Sequence, residues 1–495
     1  MCFLMNKIAL FFVLIFSAVT VLADDRPNIV WIIPDDMSAN FGCYGETAIE
    51  TPHVDQLAAS GLKFTNAYVT APVCSTCRSA FITGMYQTSI GSHHHRSGRG
   101  ELKIQLPENI KLAPQIFQEA GYHTSISGWP KVGKYGKTDY NFEWDQGVYD
   151  STDWKDREEG QPFFHQVQTP GGKLRGANDE GWEKSQSKTE EALGSRTPDS
   201  AVELPPYYPN HPDVVRDWAA YLDSARMTDH MVGEVIASLK EEGLLENTIV
   251  LFMTDHGISH ARGKQFMYDE GLHVPLVIMG PGIEAGSVRD DVVEHIDITA
   301  LSLGIAGIEV PDWMQARDIL ADDYEPREAV FAGRDRCDET VDHMRSVRTK
   351  DFKYIRNFLP NRPYLQPCAY KDKKAILLAL REAYKDEALN ATQRLLFRDV
   401  RPAEELYDVN EDPFEINNLA GDPAYTDKLA ELRERLEVWM VETDDKGREP
   451  ESEEMYDSDM APYLKKFEGP KGDPVALKQL QDNIAQMKQW AADGK

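Results

Sequence analysis

The chain has 495 residues, of which 41% are hydrophobic and 27% charged, a composition that is typical of a globular protein and excludes a disordered one. Its 53 basic and 82 acidic side chains give a formal net charge of −29, which argues against nucleic acid as a partner. An anionic substrate would therefore need a local basic pocket. The length allows two or three domains.

The first 23 residues are typical of a secretory signal peptide. One lysine precedes an apolar run, and the small residue Ala23 suits cleavage before Asp24. A membrane anchor is the alternative, but the apolar core of residues 8–21 is short for a bilayer span. The sequence therefore predicts an exported protein, periplasmic or secreted, or lysosomal in a eukaryote, with no membrane span after cleavage.

The cysteines that remain after the signal segment are odd in number. They are Cys43, Cys74, Cys77, Cys337 and Cys368. An odd count in an exported protein indicates one thiol with a separate fate, although a simple unpaired buried cysteine gives the same count. Five cysteines are too few for a disulfide scaffold in a chain of this length. The pair in CSTCR, residues 74–78, could be redox partners, metal ligands or an activated nucleophile with its supporting arginine.

Two apolar runs predict buried strands that end in acidic residues. Residues 29–33 are followed by Asp35 and Asp36, and the apolar part of residues 247–257 ends at Asp255 and His256. Helical patterns with glycine at their ends lie between these strands, which predicts an α/β fold with ligands at the carboxyl ends of the strands. Three carboxylates meeting there would suit Ca²⁺ or Mg²⁺, whereas adjacent aspartates alone are equally typical of a turn or a helix cap.

Composition divides the chain into four segments. After the signal peptide of residues 1–23, we predict a large α/β domain over residues 24–337, in which residues 140–212 form long loops. A smaller C-terminal α+β domain follows over residues 338–445. Residues 446–495 form an acidic extension that packs on this domain or trails from it.

Several stretches resemble, in order, the type I sulfatases, which depend on formylglycine. CSTCRSAFITG at residues 74–84 resembles the family signature, NIVWIIPDDMSANFGCYG at 28–45 its first strand and metal pair, and TDHG at 254–257 its second metal segment. KQFMYDEGLHVPLVIMGPG at 264–282 and ELYDVNEDPFEINNLA at 405–420 resemble later motifs, so the match covers about 400 residues. The resemblance implies an alkaline-phosphatase-like α/β fold, a large mixed, mostly parallel sheet flanked by helices, with a smaller C-terminal α+β domain.

The resemblance implies a modified cysteine as the nucleophile. In the family, a separate maturation enzyme oxidises the signature cysteine, here Cys74, to formylglycine. One hydroxyl of the hydrated aldehyde attacks sulfur while the alcohol leaves, and the second hydroxyl then allows sulfate to be expelled and the aldehyde to be restored. A plain alcohol could not eliminate sulfate in this way, which is the chemical reason for the modification.

The resemblance also implies one bound Ca²⁺ or Mg²⁺, which would polarise the sulfate oxygens. The implied ligands are Asp35, Asp36, Cys74, Asp255 and His256. The family commonly has asparagine at the last of these positions, so His256 departs from its pattern.

Three cationic side chains correspond to catalytic cations of the family. Arg78, one turn beyond the signature cysteine, is expected to hold the diol and its negative charge. Lys264 matches the family's sulfate-binding lysine, and the alternative is that it is a solvated lysine in a loop. An insertion obscures the position of the second lysine, which we place at Lys137 and not at Lys131 or Lys134.

The remaining candidates are substrate contacts. They are His93, His95, Lys173 and Arg345. The histidines, together with Arg96 and Arg99, would form the basic patch that an acidic protein needs, while a buried or surface histidine cluster and a transition-metal site are the alternatives. Lys173 lies near the position of the family's leaving-group histidine, and Arg345 lies in HMRSVRTKDFKYIRN, which resembles the heparan N-sulfatase branch.

These observations together predict an exported sulfatase that acts on a sulfated carbohydrate, with an N-sulfoglucosamine or a related glycan as the leading candidate. A phosphonate or phosphodiester hydrolase of the same superfamily is the nearest alternative. A catalytically silent glycan-binding protein, with Cys74 unmodified, is the alternative from another class, and the mass of the peptide that contains Cys74 separates it from the enzymes. A thiol protease is disfavoured because no histidine base is evident beside CSTCR.

Overall fold

In the computed structural model, which describes residues 26–131, 133–470 and 472–495, eleven strands form two sheets. The strands are β1 (Asn28–Pro34), β2 (Leu62–Tyr68), β3 (His123–Gly128), β4 (Phe163–Thr169), β5 (Thr248–Met253), β6 (His273–Met279), β7 (Ser287–Glu294), β8 (Val330–Arg334), β9 (Met344–Arg348), β10 (Phe352–Asn357) and β11 (Glu404–Asp408). The predicted signal peptide, residues 1–23, lies outside the described residues.

Helices cover both sheets. They are α1 (Pro52–Ala59), α2 (Cys74–Thr83), α3 (Ala113–Glu119), α4 (Asp179–Leu193), α5 (Pro212–Glu241), α6 (Asp269–Leu272), α7 (Asp297–Ile305), α8 (Ala375–Lys385), α9 (Thr426–Glu442), α10 (Glu453–Lys465) and α11 (Pro474–Ala492). In the described part of the chain, no helix is long and apolar enough to span a bilayer.

The large sheet has the strand order β3-β4-β1-β5-β6-β2-β7. All neighbouring pairs are parallel except that β6 runs antiparallel to both β5 and β2. Trp31 in the central strand β1 packs edge-on against Phe164 of β4 and donates from Nε1 to Ser302 of α7, at 2.9 Å. A sheet that is buried on both faces explains the unbroken apolar run of β1. The predicted fold, a large mixed, mostly parallel sheet flanked by helices, is confirmed.

The two strands that end in acidic residues are direct neighbours. β1 and β5 pair in parallel with Ile32 opposite Phe252, and the amide of Asp255 donates to the carbonyl of Pro34 at 3.0 Å. Because parallel strands end at the same edge of the sheet, the carboxylates that follow them converge.

The region of residues 140–212 contains more regular structure than the predicted long loops. It includes the strand β4 and the 15-residue helix α4. Only four residues of α4, Trp182, Ser185, Gln186 and Thr189, are buried, so its sequence lacks the apolar stripe by which surface helices are usually recognised. A capping hydrogen bond from the amide of Gly181 to the side chain of Asn178 and a left-handed Gly194 mark its ends.

The small sheet is antiparallel, with the order β11-β10-β9-β8, and α9 packs against it. Its edge strand β8 lies before the predicted boundary at residue 338, so the small sheet begins within the segment that we assigned to the larger domain. The amide of Gly333 in β8 donates to the carbonyl of Thr70 at 2.9 Å, which ties this sheet to the segment that leads into α2.

The C-terminal extension packs on the rest of the molecule and does not trail from it. Asp459 of α10 forms an ion pair of 2.6 Å with Arg336, and both residues are buried. Arg362 donates to the main-chain carbonyl of Lys495 at 2.9 Å. The amide of Leu102 donates to Ser458 Oγ at 2.8 Å, which places α10 beside the loop that follows α2.

Candidate active site

Cys74 is the first residue of α2 and lies at the carboxyl ends of β1 and β5. Val73 before it is extended, so α2 begins abruptly and directs its first side chain at the strand ends. Four polar groups surround the Sγ atom: Lys264 Nζ at 2.9 Å, His256 Nε2 at 3.1 Å, Asp36 Oδ1 at 3.6 Å and Lys173 Nζ at 3.8 Å. Burial alone would raise the pKa of the Cys74 thiol, but Lys137, Lys173 and Lys264 hold it well below its usual value.

Arg78 ties together the ends of three strands. Its Nη2 lies 2.6 Å from Asp35, its Nε donates to Asp255 at 3.2 Å, and its Nη1 donates to Gln168 Oε1 at 2.5 Å. The guanidinium is almost completely buried, and its fixed fork geometry holds the two carboxylates in a defined relative position. We expected Arg78 from the sequence, but Gln168, at the end of β4, was not anticipated.

The carboxylates are held close together by cations. Burial alone would raise the pKa of Asp35, but Lys137, Arg78 and Lys173 hold it well below its usual value. Burial raises the pKa of Asp255 to about 7, and neighbouring Asp35 adds to this effect, although His256 and Arg78 oppose it. The raised pKa of Asp255 thus follows from its burial beside a second carboxylate.

The residues present fit a divalent cation. Ligand atoms of Asp36, Cys74, Asp255 and His256 all lie within 4.8 Å of one another. Asp36 Oδ2 is buried and has no hydrogen-bond partner among the described residues. His256 donates from Nδ1 to the carbonyl of Gly257 at 2.8 Å, which leaves Nε2 directed at Asp36, 3.0 Å away. Asp35, the fifth implied ligand, is bound by Arg78, Lys137 and Lys173 at the edge of this group.

The structure brings Lys137 into the site and leaves the two other candidate lysines on the surface. Lys137 Nζ lies 2.9 Å from Asp35 and 4.0 Å from Asp255, whereas Lys131 and Lys134 are exposed. Asp139, two residues later, pairs with Lys137 at 3.5 Å. Asp139 lies in the same GKTDY stretch as Lys137, but we assigned it no role from the sequence.

Lys173 lies at the reaction centre, with Nζ 2.8 Å from Asp35 and 3.8 Å from Asp36. It is carried by a turn whose glycines touch the aspartate backbone. A Cβ atom added to Gly171, which has φ of +53°, would lie 2.1 Å from the carbonyl oxygen of Asp35, and one added to Gly172 would lie 2.2 Å from that of Asp36. Only glycine allows the turn to approach this closely.

Gly171→Ala is therefore expected to displace Asp35 and to destabilise the protein by about 2 to 4 kcal/mol, from left-handed strain together with the backbone clash. Gly194→Ala is the matched control, because Gly194 has φ of +80° but nothing within 4 Å of its added Cβ. Urea denaturation of both variants measures the difference. Equal losses of unfolding free energy would show that the contact with Asp35 contributes nothing.

The structure corrects the predicted substrate contacts of Arg345 and His93. Arg345 is fully buried, and its guanidinium pairs with Asp445 at 2.5 Å and with Asp335 at 3.1 Å, so it stabilises the fold and cannot reach a ligand. His93 is buried against His94, with ring centroids 4.2 Å apart. Burial, with Arg345 nearby, lowers the pKa of His93 to about 3, so it is a neutral packing residue.

His95 contacts the site through Ser75. Its Nδ1 lies 2.7 Å from Ser75 Oγ, next to Cys74, and its side chain is buried. His95 also lies within 4.8 Å of Cys337 and Asp338. In this second group the Asp338 carboxylate is paired with Arg96, at 3.3 Å. The expected substrate contact by His95 is therefore corrected to a positioning contact.

Tyr370 is a neighbour of the site that the sequence did not indicate. Lys264 Nζ lies 5.3 Å from the centroid of its ring. The tyrosine comes from the segment between β10 and α8, more than 100 residues after Lys264 in the chain. No spacing pattern links the two residues, so only the fold could reveal this contact.

Comparison with known proteins identifies the family. Residues 27–308 match the family model described as Sulfatase, and residues 256–366 match the model described as N-sulphoglucosamine sulphohydrolase, C-terminal. An ulvan-active sulfatase of Formosa agariphila is 34% identical over 472 residues, which cover 87% of this chain and 77% of the relative. The N-sulphoglucosamine sulphohydrolase of Homo sapiens is 27% identical over 469 residues, which cover 85% and 91%.

Among solved structures, an enzyme in complex with its substrate D-glucosamine-2-N,6-O-disulfate superimposes with a TM-score of 0.57 and 19% identity, covering 85% of this chain and 98% of that chain. The chain belongs to the sulfatase family and is a hydrolase of sulfate esters or sulfamates. The family predicted from CSTCR and the acidic strand ends is confirmed.

Proposed function

We propose that this sulfatase removes sulfate from a sulfated carbohydrate, with formylglycine formed from Cys74 and one Ca²⁺ or Mg²⁺ at the strand ends. The observation that carries the proposal is the contact of Cys74 Sγ with Lys264 Nζ, at 2.9 Å, beside the carboxylates. A carbohydrate substrate is supported by the N-sulphoglucosamine relative and by the related enzyme bound to a disulfated glucosamine.

The formylglycine hydrate would supply a hydroxyl nucleophile, and the cation, held by Asp36, Asp255, His256 and Asp35, would polarise the sulfate oxygens. The protein's own side chains bind and orient the sulfate group. Lys264 and Lys173 approach the Cys74 side chain with their ammonium groups, so a sulfate placed there is neutralised from two sides.

Lys137 and Arg78 both contact Oδ1 of Asp35, at 2.9 and 2.6 Å. Their positive charges hold the carboxylate ionised, and an ionised carboxylate is what binding of a divalent cation requires. The almost complete burial of Arg78 and Asp255 excludes water from this side of the site. Charges in such an environment act on the transferred sulfate more strongly than they would in water.

We also propose that residues 1–23 direct export and that a formylglycine-generating enzyme modifies Cys74, with the periplasm, the medium or a lysosome as the destination. The test of the function combines two measurements on protein expressed with such an enzyme. The peptide containing Cys74 should have the mass of the aldehyde, and the protein should hydrolyse p-nitrophenyl sulfate and sulfated sugars. Faster hydrolysis of an aryl phosphonate than of either sulfate would favour the phosphonate alternative.

Removal of the cation is expected to lower thermal stability. Ca²⁺ at about 100 times its Kd should stabilise the folded state by about 2.7 kcal/mol, because the carboxylates converge only in the fold. The prediction is a lower Tm in EDTA, restored by Ca²⁺ or Mg²⁺, and no such response in Asp36→Asn. His95→Ala is the control and should respond as the wild type does. Zinc bound at His95 and Cys337, with nothing at the aspartates, would contradict the assignment.

A further inference from the structure

A cavity of about 320 Å³ lies between the loop that follows α2 and the C-terminal helix α10. The charged residues lining it are Arg96, Arg99, Arg336, Lys466, Asp338 and Asp459. The loop and the helix are in tight contact, since a Cβ added to Gly100 would lie 1.8 Å from the carbonyl oxygen of Ser458. The C-terminal extension is therefore one wall of this cavity, which we call the Arg99 cavity.

Carboxylates satisfy only part of the donors that line the Arg99 cavity. Asp459 forms an ion pair with Arg336, at 2.6 Å, and Asp338 forms one with Nη1 of Arg96, at 3.3 Å. The Nε atom of Arg96 is buried and has no partner among the described residues. Lys466 forms no ion pair with a carboxylate of the described residues, and its ammonium group lies 5.8 Å from the ring centroid of Phe467. Arg336 is also bound by Glu451, and Arg99 is bound by Asp139. The donors of the Arg99 cavity without an acidic partner are therefore Lys466 and the Nε atom of Arg96, in a protein whose net charge is −29.

The Arg99 cavity is linked to the reaction centre through short contacts. The amide of Arg96 donates to Ser75 Oγ at 2.9 Å, one residue beyond Cys74. Arg99 pairs with Asp139, which pairs with Lys137 at 3.5 Å. The side chains of Arg96 and Arg99 are 41% and 39% exposed, so both are open to solvent.

We propose that the Arg99 cavity binds a second acidic group of the substrate, a carboxylate or a sulfate carried by the sugar next to the one that loses its sulfate. The proposal rests on the proposed function. Arg96, Arg99 and Lys466 donate to the acidic group, and guanidinium groups bind either anion in the same fork geometry. Tyr463 lines the same cavity and offers a ring face to the apolar side of a sugar. The C-terminal helix α10 is thus part of the specificity site.

Binding is tested in the Cys74→Ala background, so that turnover does not intervene. Three disaccharides serve as probes in calorimetry: one with a second sulfate, one with one sulfate and a uronic carboxylate, and one with one sulfate and no other charge. Lys466→Ala is expected to weaken binding of the two doubly acidic probes about tenfold. The Kd of the probe with one sulfate and no other charge should change by less than about twofold. The doubly acidic probe that loses more affinity identifies the acidic group that the cavity binds.

Lys465→Ala is the matched control, because it removes the adjacent exposed lysine, which does not line the cavity. Tyr463→Ala should weaken all three probes. In matured protein, Lys466→Ala should raise KM for a doubly acidic disaccharide and leave turnover of p-nitrophenyl sulfate unchanged. Equal affinities for Lys465→Ala and Lys466→Ala would overturn the cavity assignment alone. Matured wild-type protein that hydrolyses neither p-nitrophenyl sulfate nor any disaccharide would instead overturn the proposed function.

Discussion

Cys74→Ala is expected to abolish hydrolysis of sulfate esters and to leave the fold intact. Removal of the nucleophile should cost on the order of 10⁶-fold in turnover, since cations and carboxylates alone cannot form the covalent intermediate. The change in unfolding free energy should be about 1 kcal/mol or less, because Cys74 begins α2 and the amide of Cys77 still bonds to the carbonyl of Val73.

The measurement pairs kinetics with peptide mass. In protein made beside a maturation enzyme, the peptide containing Cys74 should weigh less than its thiol form, and this species should rise in proportion to activity. Cys43→Ala is the control, since Cys43 is half-buried in a loop that does not touch the site, and it should keep both activity and the aldehyde. Fully active protein in which Cys74 is quantitatively alkylated would disprove the mechanism.

The sequence predicted the centre of this site because its parts lie at strand ends. The apolar runs of β1 and β5 mark strands buried on both faces, and the residues that follow such strands meet at one edge of the sheet. Asp35, Asp36 and Asp255 could therefore be placed together without coordinates. The CSTCR stretch added Cys74 and Arg78, because one helical turn separates them.

The outer residues could not be placed in this way. Arg345 lies in a strand, and the sequence around it does not show which face of the small sheet it occupies. Nor does it show that Arg345 pairs with Asp445, 100 residues later. The polar helix α4 lacks an apolar stripe, and the Arg99 cavity depends on α10 folding back across the molecule. Contacts of this kind depend on tertiary packing, which local patterns do not encode.

Lys264→Ala and Lys137→Ala are each expected to depress turnover, because the transferred sulfate must be neutralised in a strongly acidic protein. Loss of one positive donor to a charged transition state should cost about 2 to 4 kcal/mol, or roughly thirtyfold to a thousandfold in rate. Lys264 Nζ lies 2.9 Å from Cys74 Sγ and is buried, whereas Lys137 Nζ lies 2.9 Å from Asp35 and its side chain is 29% exposed.

The two losses should differ in size for a physical reason. Removal of Lys264 takes away the ammonium group nearest to Cys74 Sγ, at 2.9 Å, and the partner of that group, Asp36, is itself buried. Lys137 is partly solvated, and Arg78 continues to hold Asp35 in its absence, at 2.6 Å. Lys264→Ala should therefore lie at the upper end of the range and Lys137→Ala at the lower end.

Turnover of p-nitrophenyl sulfate and of a sulfated glycan distinguishes catalysis from steering. A lysine that contacts the sulfate lowers both rates, whereas a lysine that only attracts the polymer lowers the glycan rate alone, with strong dependence on salt. Lys131→Ala and Lys134→Ala are the matched controls on the same insertion, and both side chains are exposed. Full aryl sulfatase activity in Lys137→Ala, with its loss in either control, would contradict the assignment of Lys137, because only a lysine close to the transferred sulfate can change the rate for a substrate that has no polymer to steer.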